Sequence, residues 1–279
     1  MMQYLLRTEN LTKQYGTFCM GPVRLEILKG CIVGLIGENG AGKSTFIKSI
    51  LGLVHAAGQV SLLPDTPAGR DVRQDLGVVL GTPMIPNQLK VKKLEKIMAA
   101  TYDRWDSALF QSYCQQFSIE KNSRFRTLSA GTKMKLGLAV ALSHHPQFLI
   151  LDEPAAGLDP VARDELNDIL FEFTREEDHG VLISSHILSD LERVCDYIAF
   201  IHKGKLLFME EKDRLLERYG ICRCSEEERK QLPETAVVGL RHTTYGEEVL
   251  IDKTQASQIE TGHTTIEDIM VLMVKGGQP

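Results

Sequence analysis

The sequence predicts an α/β fold built on a parallel sheet. Three short apolar runs carry that expectation: Cys31 to Ile36, Phe148 to Leu151 and Gly180 to Ser185 each have strand length and end abruptly in polar or glycine-rich residues. The residues that follow them are Gly37, the pair Asp152-Glu153, and His186. In open α/β sheets the chemistry gathers outside the carboxyl ends of the strands, so these three ends belong together.

Composition narrows the class. The 279 residues, 43% of them apolar, allow one or two domains with a sizeable core. No stretch approaches the run of about 18 apolar residues that a spanning helix requires, and MMQYLLRTEN lacks a signal peptide's basic end and apolar run. A cytoplasmic chain without direct membrane insertion is expected. The six cysteines lack paired metal-ligand spacing, and all six are expected as reduced thiols. The net charge is -5 and no Lys/Arg stripe alternates with aromatics, so no nucleic-acid surface is expected.

The first strand leads into Gly37-Glu38-Asn39-Gly40-Ala41-Gly42-Lys43-Ser44, followed by Thr45. This string has the spacing G-x-x-x-x-G-K-[ST], and Phe46 to Leu51 continues it as a helix. Its glycines let backbone N–H groups turn toward phosphate oxygens, and the helix N-terminus adds its dipole. Lys43 then reaches the β and γ phosphates, and Ser44 offers a hydroxyl to Mg²⁺. A nucleotide is the expected ligand.

The strand Phe148 to Leu151 delivers two acids at its end. Asp152 is expected to hold the metal, directly or through water, and Glu153 to orient and deprotonate the attacking water. The strand Gly180 to Ser185 brings His186 to the same edge, where its imidazole can hydrogen-bond the transferred phosphoryl group.

Taken in order, GENGAGKST, LSAGT, LILDEP, AGLD and the strand-end His186 resemble the ATP-binding subunit of an ABC transporter across roughly residues 3 to 222. The resemblance implies a P-loop NTPase core of RecA-like type with an N-terminal antiparallel β-subdomain and an inserted helical subdomain at about 84–146. It divides the chain into an ATPase domain, 1–222, and a small α+β C-terminal subdomain, 223–279. It implies hydrolysis of ATP with Mg²⁺, with Lys43, Glu153 and His186 as the catalytic set and Ser44 and Asp152 as metal ligands. Two ATPase subunits, identical or different, would pair head to tail around two ATP. They would drive a separate transmembrane permease from the inner face of the cell membrane.

LSAGT takes its meaning from that pairing. In the family this signature binds the γ-phosphate of ATP held by the other protomer, which assigns Ser129 and Gly131 to a neighbour's nucleotide. The local chemistry fits: Ser129 is a helix N-cap, Ala130 and Gly131 allow close approach of an anion, and Lys133 and Lys135 lie nearby. The body of that helix, Leu136 to Leu142, is expected as core. Tyr15 matches the family's adenine-stacking aromatic, and Asp159 matches the loop joining the two sites. One position departs from the pattern. Gly81 stands where the family carries a strand-end glutamine, with Thr82 and Gln88 as candidate substitutes.

The other segments read as follows. About Met84 to His145 is helical in pattern, with VKKLEKIMAATY as one run and Trp105, Leu109, Tyr113 and Phe117 spaced along a second. Helices are expected over Asp190 to Ile198 and Glu210 to Tyr219, around a strand Tyr197 to Ile201, a turn His202 to Gly204 and a strand Lys205 to Phe208. Residues 225 to 230 read as charged and solvated, a hairpin turns near Tyr245-Gly246, and Thr264 with Glu267 forms a capping box before a last helix. Ile266, Ile269, Met270, Met273 and Val274 line one face of that helix, which is expected to pack on a core and not on lipid.

TIEDIMVLMVKG and VARDELNDIL resemble bacterial ABC-2 type exporter ATPases of the antibiotic and peptide efflux kind, and imply export. A soluble ABC ATPase of assembly or repair would share the catalytic motifs. Repair types insert long coiled coils or zinc elements and translation-factor types carry two cassettes, and neither feature is present. A module that binds ATP without hydrolysing it is disfavoured by Glu153 and His186.

Overall fold

A computed structural model describes residues 4–81, 85–244 and 246–275. Strands β1 (Tyr4–Tyr15) and β2 (Phe18–Leu28) form an antiparallel hairpin, β3 (Ile32–Ile36) leads into α1 (Lys43–Ile50), and β4 (Ala57–Leu62) returns to pair with β1. After β5 (Leu76–Leu80) come the helices α2 (Val91–Thr101), α3 (Ser107–Gln116) and α4 (Ala130–Leu142). Then β6 (Phe148–Asp152), α5 (Pro160–Phe173), β7 (Gly180–Ser185), α6 (Leu188–Val194), β8 (Tyr197–His202) and β9 (Lys205–Glu211) complete the central part. The chain ends with α7 (Lys212–Arg218), β10 (Tyr219–Cys224), α8 (Glu226–Arg229), β11 (Val237–Thr243), β12 (Gly246–Asp252) and α9 (Ile266–Lys275).

The central sheet runs β5-β6-β7-β3-β8-β9, parallel except for β9 at its edge. Its two faces follow the period of a strand. Ile32, Leu149, Leu151, Val181 and Ile183 face the cluster covered by α4, α5 and α6. Val33, Leu35, Phe148, Ile150 and Leu182 face the cluster built from α1 and the β1–β2 hairpin. Both faces are buried, which is why these strands read as near-continuous apolar runs.

The register sets the active edge. Asp152 pairs with Ser184 across β6 and β7, and Ile36 pairs with Ser185 across β3 and β7. The three strands therefore end level, and Gly37, Glu153 and His186 leave the sheet side by side.

The structure corrects several boundaries. The helix expected over Asp190 to Ile198 stops at Val194. Asp196 anchors the chain to β3 instead, donating its N–H to Ile32 O at 2.9 Å and accepting Ile32 N–H on its carboxylate at 2.8 Å. Glu210 and Glu211 belong to β9, where they pair with Ile198 and Tyr197, and Tyr219 opens β10 opposite Asp252, so the helix between is only Lys212–Arg218. The capping box of the last helix is displaced by one residue. Thr265 and Asp268 exchange the bonds, while the Thr264 hydroxyl accepts Ile221 N–H at 3.0 Å. Residues 225–228 are exposed, as expected of that charged segment, and Ser225 and Glu228 cap a short helix there. The hairpin closes with Thr243 opposite Gly246, while Tyr245, like Thr82 and Met84, lies outside the described residues.

The C-terminal sheet, β10-β12-β11, is covered by α9. Ile266, Ile269, Met270 and Leu272 of that helix are buried, in one cluster with Leu191 and Val194 of α6. The helix thus packs on the core, as its apolar face requires.

Candidate active site

The loop after β3 is shaped by backbone strain that only glycine relieves. Gly37 has φ +156°, and a Cβ there would come within 2.3 Å of Ile201 O. Gly42 caps α1 at φ 115°, and the helical ladder begins with Phe46 N–H donating to Gly42 O. The N–H groups of Lys43, Ser44 and Thr45 therefore have no acceptor within the helix, and together they form an anion cradle.

Lys43 is only 5% exposed and turns back over this loop. Its ammonium donates to Gly37 O at 2.7 Å and stands 3.3 Å from Glu153 Oε1. The other oxygen of Glu153, Oε2, accepts His186 Nδ1–H at 2.6 Å. Donation through Nδ1 leaves Nε2 as the ring's second polar atom. Glu153 itself has φ 54°, and its N–H donates to Ser184 O at 3.1 Å and to Ser184 Oγ at 3.0 Å.

Asp152 sits behind Glu153, 7% exposed, on the sheet face that α1 covers. Its Oδ1 accepts the Ser184 hydroxyl at 2.5 Å. Ser44 and Asp152 offer two hard oxygen donors, an incomplete set for a protein-caged metal but a suitable one for Mg²⁺ shared with phosphates and water. Among the described residues no group of three or more His, Cys, Asp or Glu forms a metal cage.

These residues enclose a cleft of about 410 Å³ whose walls include Asn39, Gly40, Gly42, Lys43, Ser44 and Thr45 from the loop, with Glu153 and His186 opposite. A cationic, N–H-rich loop facing a carboxylate–imidazole pair suits phosphoryl chemistry on a nucleotide.

Comparison with known proteins agrees with this geometry. Residues 20–156 match the ABC transporter family. Over 212 residues the chain is 34% identical to the bacitracin transport ATP-binding protein BcrA of Enterococcus faecalis, covering 74% of this chain and 69% of the relative. The chain belongs to the ABC transporter ATP-binding family. This ABC ATPase is also 35% identical over 213 residues to the lantibiotic transport ATP-binding protein SrtF of Streptococcus pyogenes, covering 75% of this chain and 92% of the relative. A solved ATP-binding subunit of an ABC transporter superposes with a TM-score of 0.67 at 29% identity, over 76% of this chain and 92% of its own. The ADP- and phosphate-bound cassette MJ0796 shares the fold, with a TM-score of 0.64 at 21% identity, over 74% of this chain and 98% of its own.

The ABC ATPase brings together Asn39, Gly40, Gly42, Lys43, Ser44, Thr45, Glu153 and His186, all read from the sequence. Gly37 and Ala41 shape the loop from behind: Ala41 is 4% exposed, donating its N–H to Glu38 O and accepting Gly204 N–H. Tyr15 is not in the cleft wall. It is 47% exposed with Lys13 Nζ 4.8 Å from its ring centroid, and Phe18, its partner across the hairpin, lines the cleft instead. Gln88 is exposed and lies outside the cleft wall as well.

The LSAGT residues also stand apart from their own chain's cleft. Ser129 caps α4, accepting Thr132 N–H at 3.1 Å, and its hydroxyl lies 2.8 Å from Thr132 Oγ1. Gly131 sits against the AGLD loop, where a Cβ would meet Leu158 Cδ2 at 3.3 Å. Asp159 caps α5, accepting Ala162 N–H at 2.9 Å, and this bond is the main cause holding its carboxyl below the ordinary range. Sequence reading missed Phe18 and Ser184. Only Ser184 left a signal, a polar residue at an inward position of a buried strand.

Proposed function

We propose that this ABC ATPase pairs head to tail with a second ATPase subunit around two ATP and drives a separate transmembrane permease. The meeting of Lys43, Glu153 and His186 across one cleft carries the hydrolytic part of this reading. Lys43 and the loop N–H groups bind the β and γ phosphates, Glu153 takes a proton from the attacking water, and His186 holds the base and contacts the transferred group. When bound, Mg²⁺ neutralises charge on the phosphate oxygens, and Ser44 and Asp152 are the residues that would hold it.

Ser129, Gly131 and Asp159 serve the partner's nucleotide. The exposure of Ser129 and Asp159, and the absence of all three from their own chain's cleft wall, support that assignment. The names of BcrA and SrtF support a permease that exports a peptide, antibiotic or other amphipathic compound. Attachment to the inner face of the cell membrane runs through the permease in this reading; among the described residues no helix is long and apolar enough to cross a membrane. We assign residues 1–222 to the ATPase domain and 223–279 to the small C-terminal subdomain.

Mixing two damaged protomers tests the pairing. One carries Lys43→Ala, and the other carries Ser129→Arg, whose bulk and charge block the signature helix. With LSAGT acting in trans, the mixed dimer collects both lesions in one site and leaves the other intact. Retention of a non-hydrolysable ATP analogue then recovers to one site per dimer. No retention above either mutant homodimer, with mixing demonstrated, would overturn the trans assignment.

A further inference from the structure

Ser184 lies inside β7 with a relative exposure of 0%, on the same face as Leu182. The period of the strand calls for an apolar side chain at such a position. A hydroxyl there must be hydrogen-bonded, and a serine has one proton to give and two lone pairs to receive. Ser184 spends its proton on Asp152 Oδ1 at 2.5 Å and receives Glu153 N–H at 3.0 Å. Both of these bonds therefore go to the adjacent acids at the end of β6, Glu153 in the cleft wall and Asp152 behind it.

We propose that Ser184 is a positioning residue for ATP hydrolysis, setting the orientation of Asp152 and the backbone turn of Glu153 through one hydroxyl. The inference rests on the reading of Asp152 as metal ligand and Glu153 as base.

Two geometric consequences support it. With Oδ1 tied to Ser184, the Asp152 carboxylate cannot rotate freely, and Oδ2 would be the oxygen left for a metal. A carboxylate locked by an outer hydrogen bond is the arrangement that tunes metal sites. Glu153, in turn, holds a left-handed φ of 54° that non-glycine residues rarely adopt. Its amide is shared between Ser184 O and Ser184 Oγ, and the side chain that leaves this turn reaches both Lys43 and His186. The neighbouring Ser185 does a different task, accepting Ile187 N–H at 2.9 Å and shaping the chain after His186.

The test uses the full-length chain with Ser184→Ala and Ser184→Thr. Two quantities are measured: the tightening of ATP binding when Mg²⁺ replaces EDTA, and the Mg²⁺ concentration giving half-maximal turnover. Ser184→Ala is expected to bind ATP in EDTA as the unmodified chain does, to need about tenfold more Mg²⁺, and to lose roughly ten- to a hundredfold in kcat, the usual cost of removing an outer partner of a metal ligand. Ser184→Thr, which keeps the hydroxyl, restores the Mg²⁺ midpoint.

An unchanged Mg²⁺ midpoint and kcat in Ser184→Ala would overturn the proposal. So would weakened ATP binding in EDTA that Ser184→Thr fails to rescue, since that marks a structural role alone. Should Ser184→Ala not fold, Ser184→Cys keeps the size and weakens the donor: a raised midpoint supports the proposal and an unmodified one overturns it. Glu153→Gln, assayed in parallel, separates the two readings. Loss of turnover there with none in Ser184→Ala rejects only the role of Ser184, whereas unchanged turnover in Glu153→Gln rejects the base itself.

Discussion

His186 Nδ1 lies 2.6 Å from Glu153 Oε2. The same carboxylate meets Lys43 Nζ through its other oxygen at 3.3 Å, so one side chain is held from two directions by groups delivered from two other strand ends. This arrangement fixes where the base can point, and it makes the roles of the three residues separable by mutation.

His186→Ala removes one tether of Glu153 and one hydrogen-bonding group at the edge of the cleft. Turnover should fall about a hundredfold, the order lost with one preorganised donor, while ATP affinity changes little. Steady-state ATPase assays beside equilibrium nucleotide binding check this. Equal loss in both would make His186 a binding residue only.

Lys43→Ala differs in kind. It deletes a buried ammonium whose partners are all oxygens, and charge-assisted bonds of this sort are worth about 1.5–3 kcal/mol. ATP binding should weaken by roughly ten- to a hundredfold. Calorimetry or fluorescent-nucleotide titration reads it directly, and unchanged affinity would count against the phosphate-loop assignment.

Gln88→Ala should be close to neutral for ATPase activity. Gln88 is exposed and does not reach the cleft, so it does not take over the position that Gly81 leaves without a side chain. Loss of most activity would show that Gln88 moves into the site during turnover.

All six thiols are free, and their reactivity should follow burial. Desolvation pushes the Cys114 thiol up to about 11 and raises Cys195 further still, so few thiolates exist at either near neutral pH. Iodoacetamide at pH 8, read by mass spectrometry, should label exposed Cys19 first and these two only after denaturation. Early labelling of Cys195 would contradict its packing beneath Gly34 in the central sheet.

The sequence made the active edge legible because its strands are buried on both faces. Each appears as a short apolar run, and the reactive residues sit where the run stops. The phosphate loop and the helix cap at Ser129 were legible for a similar reason, since their chemistry is local. Contacts distant in sequence were not. Asp196 ends α6 by binding Ile32, 164 positions away, which no local periodicity reveals. Thr264 left its expected cap because Ile221 N–H required a buried acceptor. Tyr15 and Phe18 are hairpin partners, and only the register and twist of that hairpin decide which aromatic meets the cleft.

The most direct test of the account is single-turnover hydrolysis by the purified Glu153→Gln chain with saturating ATP and Mg²⁺. The substitution keeps the shape of the side chain and leaves Asp152 and Lys43 in place. ATP should bind with at least the affinity of the unmodified chain and be hydrolysed about a hundredfold or more slowly, as expected when a general base is lost. Hydrolysis at an undiminished rate would contradict it.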